Sequence, residues 1–288
     1  MKKINFFLPG FYENFRMITF LADMMEEKSD LFFENIRIGA VYGCFPGSIW
    51  NGGRVVLGSC TRQEMEYAIA EYNKRDIAVR YTFTNPLLEK VHLMDTYCNL
   101  CMELGDNGKN EVIVNSPVLE EFIRKMYPDY ALISSTTKCL EDIRMIEQEL
   151  EKDYSLVVLD SALNNTNELF GLEHKEKIEL IANHYCMDNC PRRKEHYNAV
   201  GRCQLDFSEV DFESCGNINR DFYQVMENRS FIRVEDLYGR YYDAGFCNYK
   251  LDGRGFLKYK LLESFVYFLV RPEYRDRVRT YLLKYILK

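Results

Sequence analysis

The stretch that decides the fold runs from residue 177 to residue 203 and reads KIELIANHYCMDNCPRRKEHYNAVGRC. It opens with an apolar run, Ile178 to Ala182, that has the length and composition of a buried β-strand. Polar and reactive side chains follow directly, among them His184, Cys186 and Cys190. Such groups just past a buried strand are expected at the carboxyl end of a parallel sheet, where α/β proteins place their functional sites. The stretch therefore predicts the active or cofactor-bearing end of the molecule.

Outward from this stretch, short apolar runs alternate with longer amphipathic runs along the chain. Eight of the short runs have strand length and are apolar on both faces, as in a parallel sheet that helices cover. They span residues 4–8, 36–42, 77–83, 111–114, 130–133, 155–159, 178–182 and 247–251. Their number predicts a single α/β domain over residues 1–288, a (β/α)8 TIM-barrel-like fold in a regular, irregular or incomplete form. An open doubly wound sheet is the alternative, and residues 183–230 are expected to form an irregular Cys-rich segment.

The composition limits the classes of function. Of the 288 residues 47% are hydrophobic and 14% aromatic, which suffices for a buried core and differs from a disordered chain. The formal net charge of −7 argues against DNA binding and a general RNA-coating surface, while a local basic patch could still hold RNA. No apolar run approaches the ~18 residues of a membrane span, and residues 1–15 resemble a first strand more than an export signal. We expect a cytoplasmic protein whose ten cysteines form no disulfide framework.

Polar residues follow five of the apolar runs directly, at positions that a barrel brings to one rim. They are Asn115-Ser116, Ser134-Ser135, Asp160-Ser161, Asn183-His184 and Asp252-Gly253-Arg254. Together they would form a polar cup at the barrel mouth, although Ser, Asp and Asn are also preferred helix N-caps. His184 and Arg254 are poor caps and need another role. Arg254, with a glycine on each side, is predicted to be an anion clamp or an ion-pair partner of Asp252 or Asp160.

Two blocks of residues resemble a known family. Residues 232–237 (IRVEDL), 244–246 (AGF) and 249–254 (YKLDGR) resemble a signature of the collagenase-like peptidase family, peptidase family U-thirty-two. In that family a helix that ends in EAG leads into a strand that reads KIEGR; here the strand reads KLDGR, and Asp252 supplies the acid. The Cys-rich stretch after the seventh strand is the second block, since the family also carries cysteines there. The family's usual CAQPC run is absent from this chain.

The resemblance implies a (β/α)8-type barrel and an iron–sulfur cofactor. Well-understood members look like proteins that support oxygen-independent hydroxylation of quinone precursors or RNA bases, with a four-iron, four-sulfur cluster on four cysteines. Carried onto this chain, those ligands are Cys186, Cys190, Cys203 and Cys215. The substitutes for the fourth ligand are Cys44, Cys60 and Cys247.

The cysteines themselves leave alternatives to a cluster. Thiolates are the usual ligands of iron–sulfur clusters, but this spacing matches no ferredoxin pattern. Zinc held by cysteines together with His184 or His196 is the competing metal site, since zinc accepts both ligand types. A set of thiols packed beneath a loop is the structural alternative. Cys98-x2-Cys101 is interpreted as a pair of core neighbours within a helix over residues 90–104.

The candidate site residues fall into two groups. Catalytic roles are expected for His184, Asp252 and Arg254. Substrate binding is expected for Asn183, Arg192, Arg193, Asp160 and Asn115, because these polar or charged groups lie near the cysteines or at strand ends. Arg192 and Arg193 could equally form a solvated basic turn.

Three functions are consistent with these observations. The first is a cluster-dependent enzyme or redox component of the hydroxylation type, which acts on a small anionic or RNA-derived substrate. The second is a metal-dependent hydrolase or peptidase with His184 and carboxylates around zinc. The third is a non-catalytic, cluster-stabilised adaptor that binds a protein partner, for instance as a heterodimer, through its tyrosine-rich C-terminal region.

Overall fold

The fold is a closed barrel of eight parallel strands in the order in which they occur along the chain. The computed structural model describes residues 2–140, 142–210, 221–255 and 257–286. The strands are β1 (Ile4–Pro9), β2 (Ile36–Gly43), β3 (Ala78–Phe83), β4 (Glu111–Val114), β5 (Ala131–Ser134), β6 (Leu156–Val158), β7 (Ile178–Ile181) and β8 (Asn248–Lys250). β8 pairs with both β7 and β1, and thereby closes the sheet. The predicted (β/α)8 fold is confirmed, and the open-sheet alternative is wrong.

Helices follow the strands and cover the outside of the barrel. They are α1 (Phe15–Glu27), α2 (Arg62–Lys74), α3 (Thr96–Gly105), α4 (Pro117–Met126), α5 (Ile143–Leu150), α6 (Asn167–Gly171), α7 (Arg193–Asp206), α8 (Phe222–Val225), α9 (Val234–Asp236), α10 (Lys258–Leu269) and α11 (Arg275–Ile286). Thr61 caps α2 in a reciprocal capping box with Glu64, and Pro117 occupies the first turn of α4. A π-helical turn, Leu237–Tyr241, continues α9. Within the described part of the chain, no helix combines the length and the apolar character needed to cross a bilayer.

Apolar side chains form two separate layers on either side of the sheet. Because successive residues of a strand point to opposite faces, alternate positions line the barrel interior. An inner cluster that includes Phe7, Tyr42, Ile113 and Ile181 fills that interior. A much larger cluster packs the outer face of the strands against the helices.

Charged side chains cross the middle of the barrel. Arg80 on β3 is fully buried and donates to Glu179 on β7 at 2.5 Å and to Glu111 on β4 at 2.7 Å. β3 and β7 lie four strands apart in a ring of eight, so the bond between Arg80 and Glu179 spans the interior. Lys250 Nζ lies 3.5 Å from the other carboxylate oxygen of Glu179. The expectation that the strands are apolar on both faces is therefore wrong for β3, β7 and β8.

The predicted helix boundaries differ from the structure in two regions. The irregular segment predicted for residues 183–230 contains α7, a helix of 14 residues, and the short α8. The helix predicted over residues 90–104 is divided, because Asp95 accepts a hydrogen bond from Cys98 N and starts α3 anew after a 3-10 turn. Cys98 thus lies in a first turn, yet burial holds its thiol pKa well above the usual value, so it remains a core residue.

Candidate functional site

A cavity of about 70 Å³ opens at the carboxyl ends of the strands. Residues that follow β2, β5, β7 and β8 line it together with the ends of several strands. Its basic and acidic side chains are Arg54, His184, Lys250, Asp252 and Arg254. The predicted convergence of polar strand ends at the barrel mouth thus holds for the ends of β5, β7 and β8.

His184 and Asp252 form an ion pair in this cavity. His184 Nδ1 lies 3.3 Å from Asp252 Oδ2, and the two side chains are 9% and 15% exposed. Burial lowers the pKa of His184, but the neighbouring carboxylate and Cys186 outweigh it and raise the pKa to about 9. Burial raises the pKa of Asp252, but His184 and Arg54 outweigh that effect and hold it well below its usual range. The imidazole is therefore mostly protonated at neutral pH.

Backbone groups hold the Asp252 carboxylate in place. Its Oδ1 accepts from Gly253 N at 2.7 Å, and its Oδ2 accepts from Tyr185 N at 3.3 Å. Arg54 Nη2 lies 3.8 Å from the same Oδ2. A carboxylate fixed in this way keeps its negative charge beside the imidazole and stabilises the protonated ring.

Arg254 is a buried guanidinium, 6% exposed, that lines the cavity. It donates to Asn51 Oδ1 at 2.8 Å, to Gly52 O at 2.5 Å and to Thr82 Oγ1. All three acceptors are neutral, and no carboxylate in the described ranges lies within ion-pair distance of it. Burial accordingly lowers its pKa. The ion pair with Asp252 or Asp160 that the sequence left open is absent from this part of the chain, because those carboxylates pair with other residues.

Asp160 pairs instead with Arg193, beside a second and larger cavity. The two side chains are about one-tenth exposed, and their contact lowers the pKa of Asp160 even though burial raises it. Asp160, Arg193 and Cys190 line a cavity of about 770 Å³ next to the first turn of α7. Arg192 is exposed and pairs with Glu195 at 3.1 Å, as expected of a solvated basic turn.

Two of the predicted substrate-binding amides have hydrogen bonds within the protein. Asn183 is fully buried and donates to Ser264 Oγ at 2.8 Å, while its oxygen accepts from Asp252 N at 2.7 Å. It therefore joins the end of β7 to the loop after β8. Asn115 donates to Thr137 Oγ1 at 2.7 Å, and Thr137 lines the cavity. Each amide therefore holds a residue of the cavity wall, Asp252 in one case and Thr137 in the other.

Cys186 lies two residues after His184, in the same loop, and is half-buried. Burial raises the pKa of its thiol, but the interaction with His184 and the charge of Arg193 outweigh it and lower the pKa. The other cysteines differ. Cys44 is buried with its pKa raised to about 12, and burial raises the pKa of Cys60 and Cys247 as well.

Three of the four predicted cluster ligands lie in the described residues, and a helix separates Cys203 from the other two. Cys190 lies at the start of α7, where its carbonyl accepts from Arg193 N, whereas Cys203 is buried near the end of the same helix. At 1.5 Å per residue, the ten steps from Arg193 to Cys203 span about 15 Å, too far for ligands of one compact cluster. Cys215 lies outside the described residues. Within the described ranges, no three His, Cys, Asp or Glu side chains converge on a metal site. The cluster and zinc therefore stay predictions.

Several cavity residues escaped the sequence interpretation. Arg54 lies in the loop after β2, and Tyr42 and Thr82 lie on strands. Lys250 is the clearest omission. A lysine between Tyr249 and Leu251, in a strand expected to be buried on both faces, has to point into the barrel, and that signal was available from the sequence.

Comparisons with known proteins give one match. No family model matches the chain, and no curated protein matches it. A search of solved structures finds "The Structure of the U32 Peptidase Mk0906", with a TM-score of 0.53 and 16% sequence identity over 88% of this chain and 94% of that one. At this identity the match speaks for the fold. The chain is therefore similar in fold to a U32 peptidase, as the resemblance of residues 232–254 predicts.

Proposed function

We propose that this protein is an enzyme that binds a small anionic substrate in the cavity at the barrel mouth. The observation that carries the proposal is Arg254, a buried guanidinium on the cavity wall whose described partners are all neutral. A buried charge is costly unless it is paired, so an anionic group of a ligand would supply the missing counter-charge. Arginine also presents the planar fork that matches carboxylate and phosphate oxygens.

The charge of the rest of the cavity supports the same substrate class. Arg54, His184 and Lys250 add further positive charge, and Asp252 is the acidic residue of the lining. In a small cavity with apolar walls such an excess attracts anions from solution. The RNA-derived substrate expected from the resemblance would have to place a single phosphate or carboxylate here, since the cavity is too small for a nucleotide.

His184 would act as the proton donor of the reaction. It is held by Asp252 and is mostly protonated at neutral pH, so it can deliver a proton to a developing oxyanion or leaving group in the same cavity. Asp252 would position the ring and stabilise its charged form. This division of roles retains the catalytic trio predicted from the sequence.

Thermal unfolding in the presence of small anions tests the proposal. Inorganic phosphate, acetate and pyruvate are added separately at matched ionic strength, and at least one is expected to raise the melting temperature. At a hundredfold excess over Kd the rise would be about 5 °C. Arg254→Gln should lose the rise and Arg254→Lys should retain part of it, whereas Arg62→Gln, which removes an exposed arginine from α2, should keep all of it. Equal stabilisation of wild type and Arg254→Gln would contradict the proposal.

A thiol-dependent hydrolase is the second candidate, and the position of Cys186 beside His184 favours it. A thiolate activated by a histidine that a carboxylate orients is the arrangement of cysteine hydrolases. Wild-type protein should then release nitrophenol from p-nitrophenyl acetate in a burst of one equivalent, insensitive to EDTA. Cys186→Ser should abolish the burst, and Cys60→Ser should not. A burst that persists in Cys186→Ser would exclude this function.

The iron–sulfur cluster is a separate proposal that rests on the family resemblance. It would use Cys186 and Cys190, which lie in one loop, together with Cys215 and a fourth thiolate from Cys44, Cys60 or Cys247 in place of Cys203. Iron and sulfide quantified in anaerobically purified protein test it directly, with single Cys→Ser variants at each position. From the position of Cys203 on α7, we expect Cys203→Ser to leave the iron content unchanged. Protein without iron and sulfide would remove the proposal.

A further inference from the structure

Lys250 lies at the floor of the cavity, where the substrate would be bound. It is the last residue of β8, it points into the barrel, and the residue is 8% exposed. Arg254 and His184 line the same cavity above it. A side chain in this position reaches the ligand from within the barrel, as do the active-site residues at the ends of barrel strands.

The amine of Lys250 is held loosely for a buried charge. Its Nζ lies 3.5 Å from Glu179 Oε1 and 4.0 Å from the centre of the Tyr42 ring. These are the ion-pair and ring contacts of the amine in the described part of the chain. By contrast, Lys138 Nζ donates to Glu149 at 2.6 Å and to the Tyr154 hydroxyl at 2.9 Å. The Lys250 amine therefore has N–H groups to spare for a ligand.

The surroundings of Lys250 also favour its neutral, nucleophilic form. Burial lowers the pKa of the amine, Glu179 raises it, and the charges of Arg80 and Arg254 lower it further, to about 8. Glu179 compensates only in part because its other oxygen is bound by Arg80 at 2.5 Å. A substantial fraction of the amine is free at slightly alkaline pH, which is the condition for attack on a carbonyl carbon.

We propose that Lys250 forms a covalent iminium adduct with the carbonyl carbon of a small oxo acid whose carboxylate is bound by Arg254. The inference rests on the proposed anionic substrate and names its class. A cavity of about 70 Å³ would hold roughly five to seven water-sized groups, at about 10–15 Å³ for each. That is the size of a three-carbon oxo acid.

The chemistry is balanced by groups that line the cavity. The amine lone pair attacks the carbonyl carbon, a nitrogen–carbon bond forms, and the carbonyl oxygen takes up a proton to give a carbinolamine. The nitrogen releases a proton to solvent, the hydroxyl group leaves as water with a proton from His184, and a cationic iminium remains. His184 is the proton donor for the departing oxygen. The iminium keeps the positive charge opposite Glu179, so the ion pair in the barrel centre survives the reaction.

Reductive trapping tests the adduct. The full chain is incubated with pyruvate and sodium cyanoborohydride, and the modified lysines are identified by peptide mass spectrometry. Lys250 is expected to be labelled at least about tenfold faster than the exposed Lys194, with a rate that saturates in pyruvate and rises with pH around 8. Propanal, a neutral aldehyde, is trapped in parallel to report on the amine alone.

Three variants separate the roles of the residues. Lys250→Arg keeps a positive charge beside Glu179, so it should fold with a melting temperature near that of the wild type, but it should give no adduct at position 250. Lys250→Met should also lose the adduct. Arg254→Gln should lose the preference for pyruvate and keep the reaction of Lys250 with propanal.

The outcomes distinguish this inference from the proposed function. If both pyruvate and propanal label Lys250 no faster than they label Lys194, the iminium proposal is overturned. This holds even where anions stabilise the wild type. Labelling by propanal without any preference for pyruvate, and without stabilisation by anions, would overturn the anionic substrate. Pyruvate labelling that persists in Arg254→Gln would overturn the role of Arg254 in the adduct.

Discussion

At the scale of single residues, the pairing of His184 with Asp252 determines the protonation of the cavity. Burial alone would favour a neutral imidazole, and the carboxylate 3.3 Å away reverses that preference. The nearby His196 shows the opposite case. It lies in a partly buried setting where desolvation and the charge of Arg54 lower its pKa to about 4.

Asp252→Asn should therefore make His184 neutral at pH 7. Without the carboxylate the pKa of His184 is expected to fall from about 9 to below its usual value of about 6.5, because burial is then the dominant influence. An NMR titration of the histidine ring carbons measures the change in metal-free protein. Glu151→Gln, which removes a carboxylate near the half-exposed His174, is the control and should leave His184 unchanged. If the pKa of His184 stays near 9 in Asp252→Asn, Asp252 is not the cause of the raised value.

Glu149 should contribute to stability in a pH-dependent manner. Burial raises the pKa of this carboxyl group, but hydrogen bonds from Lys138, Lys152 and Ser134 lower it to about 2. A depressed pKa in the folded state stabilises the fold above the unfolded pKa of about 4.5, and the contribution disappears as the pH falls toward 2. We expect Glu149→Gln to lower the free energy of unfolding by about 2 kcal/mol at pH 7 and by little at pH 2.5.

Urea unfolding at the two pH values measures this difference. Glu66→Gln, which removes an exposed carboxylate from an i,i+4 pair on α2, should change stability little at either pH. A loss in Glu149→Gln that is equally large at pH 2.5 would show that the carboxylate charge is not the cause.

The site residues that could be predicted from sequence are those of a type that does not suit their place after a strand end, where helix-capping residues are expected. His184 and Arg254 stood out in the sequence because neither is a good helix cap. Tyr42 did not, because an aromatic strand residue reveals which face it occupies only when the register of the whole barrel is known. The partner of Arg254 could not be inferred either, since Asn51 and Gly52 are about 200 residues away in sequence.

At the scale of elements, the loop after β2 is fixed by close contact with the end of β3. Gly52 N donates to Thr82 O at 3.2 Å, and Asn85 N donates to Trp50 O at 3.1 Å. A Cβ atom on Gly52 would lie 2.5 Å from the backbone of Thr84. Only glycine allows this approach, and the approach brings Arg54 and an acceptor for Arg254 to the cavity.

Gly52→Ala should therefore affect both stability and ligand binding. The clash is with backbone atoms, so the loop has to shift, at a cost of about 1–3 kcal/mol in the free energy of unfolding. Stabilisation by phosphate should decrease in parallel, because the carbonyl of Gly52 helps to hold Arg254. Gly171→Ala, on α6, is the matched control, since its Cβ would meet no atom within 4 Å. Equal behaviour of the two variants in chemical denaturation would contradict this account.

Most elements could be predicted from hydrophobic periodicity and capping residues, and α7 could not. Its sequence is rich in charged and polar residues, contains Gly201 within the helix, and has a narrow apolar face. The helix is stabilised by tertiary contacts instead. Gly201 packs against Asn85, and Gln204 accepts from Val56 N at 3.1 Å. Such contacts are invisible in local sequence, which explains why the segment was interpreted as irregular.

At the scale of the whole molecule, the buried pair of Arg80 and Glu179 joins opposite sides of the barrel. Arg80→Met should leave Glu179 and Glu111 without their main counter-charge and cost about 3–5 kcal/mol, because an uncompensated buried charge remains. The double variant Arg80→Met, Glu179→Leu should recover part of that loss. Equilibrium unfolding in urea measures both. A double variant less stable than the single one would indicate that the ion pair is itself a net source of stability.

The barrel as a whole could be predicted because the alternation of an apolar strand with an amphipathic helix is repeated eight times. A misplaced boundary in one element does not change the number of strands. The contents of the barrel could not. The inner face combines an apolar cluster with Arg80, Glu111, Glu179 and Lys250, and these charges come from four different strands. Only closure of the sheet brings them within bonding distance of one another.

The closing strand has a consequence for synthesis of the chain on the ribosome. β8 joins β1 through a hydrogen bond between Asn5 and Asn248, residues 243 positions apart, so a nascent polypeptide keeps two open sheet edges until nearly all of it has emerged. The same late segment delivers Lys250, Asp252 and Arg254. A product that stops before residue 248 would therefore lack these three side chains and keep both sheet edges unpaired, and we expect it to aggregate.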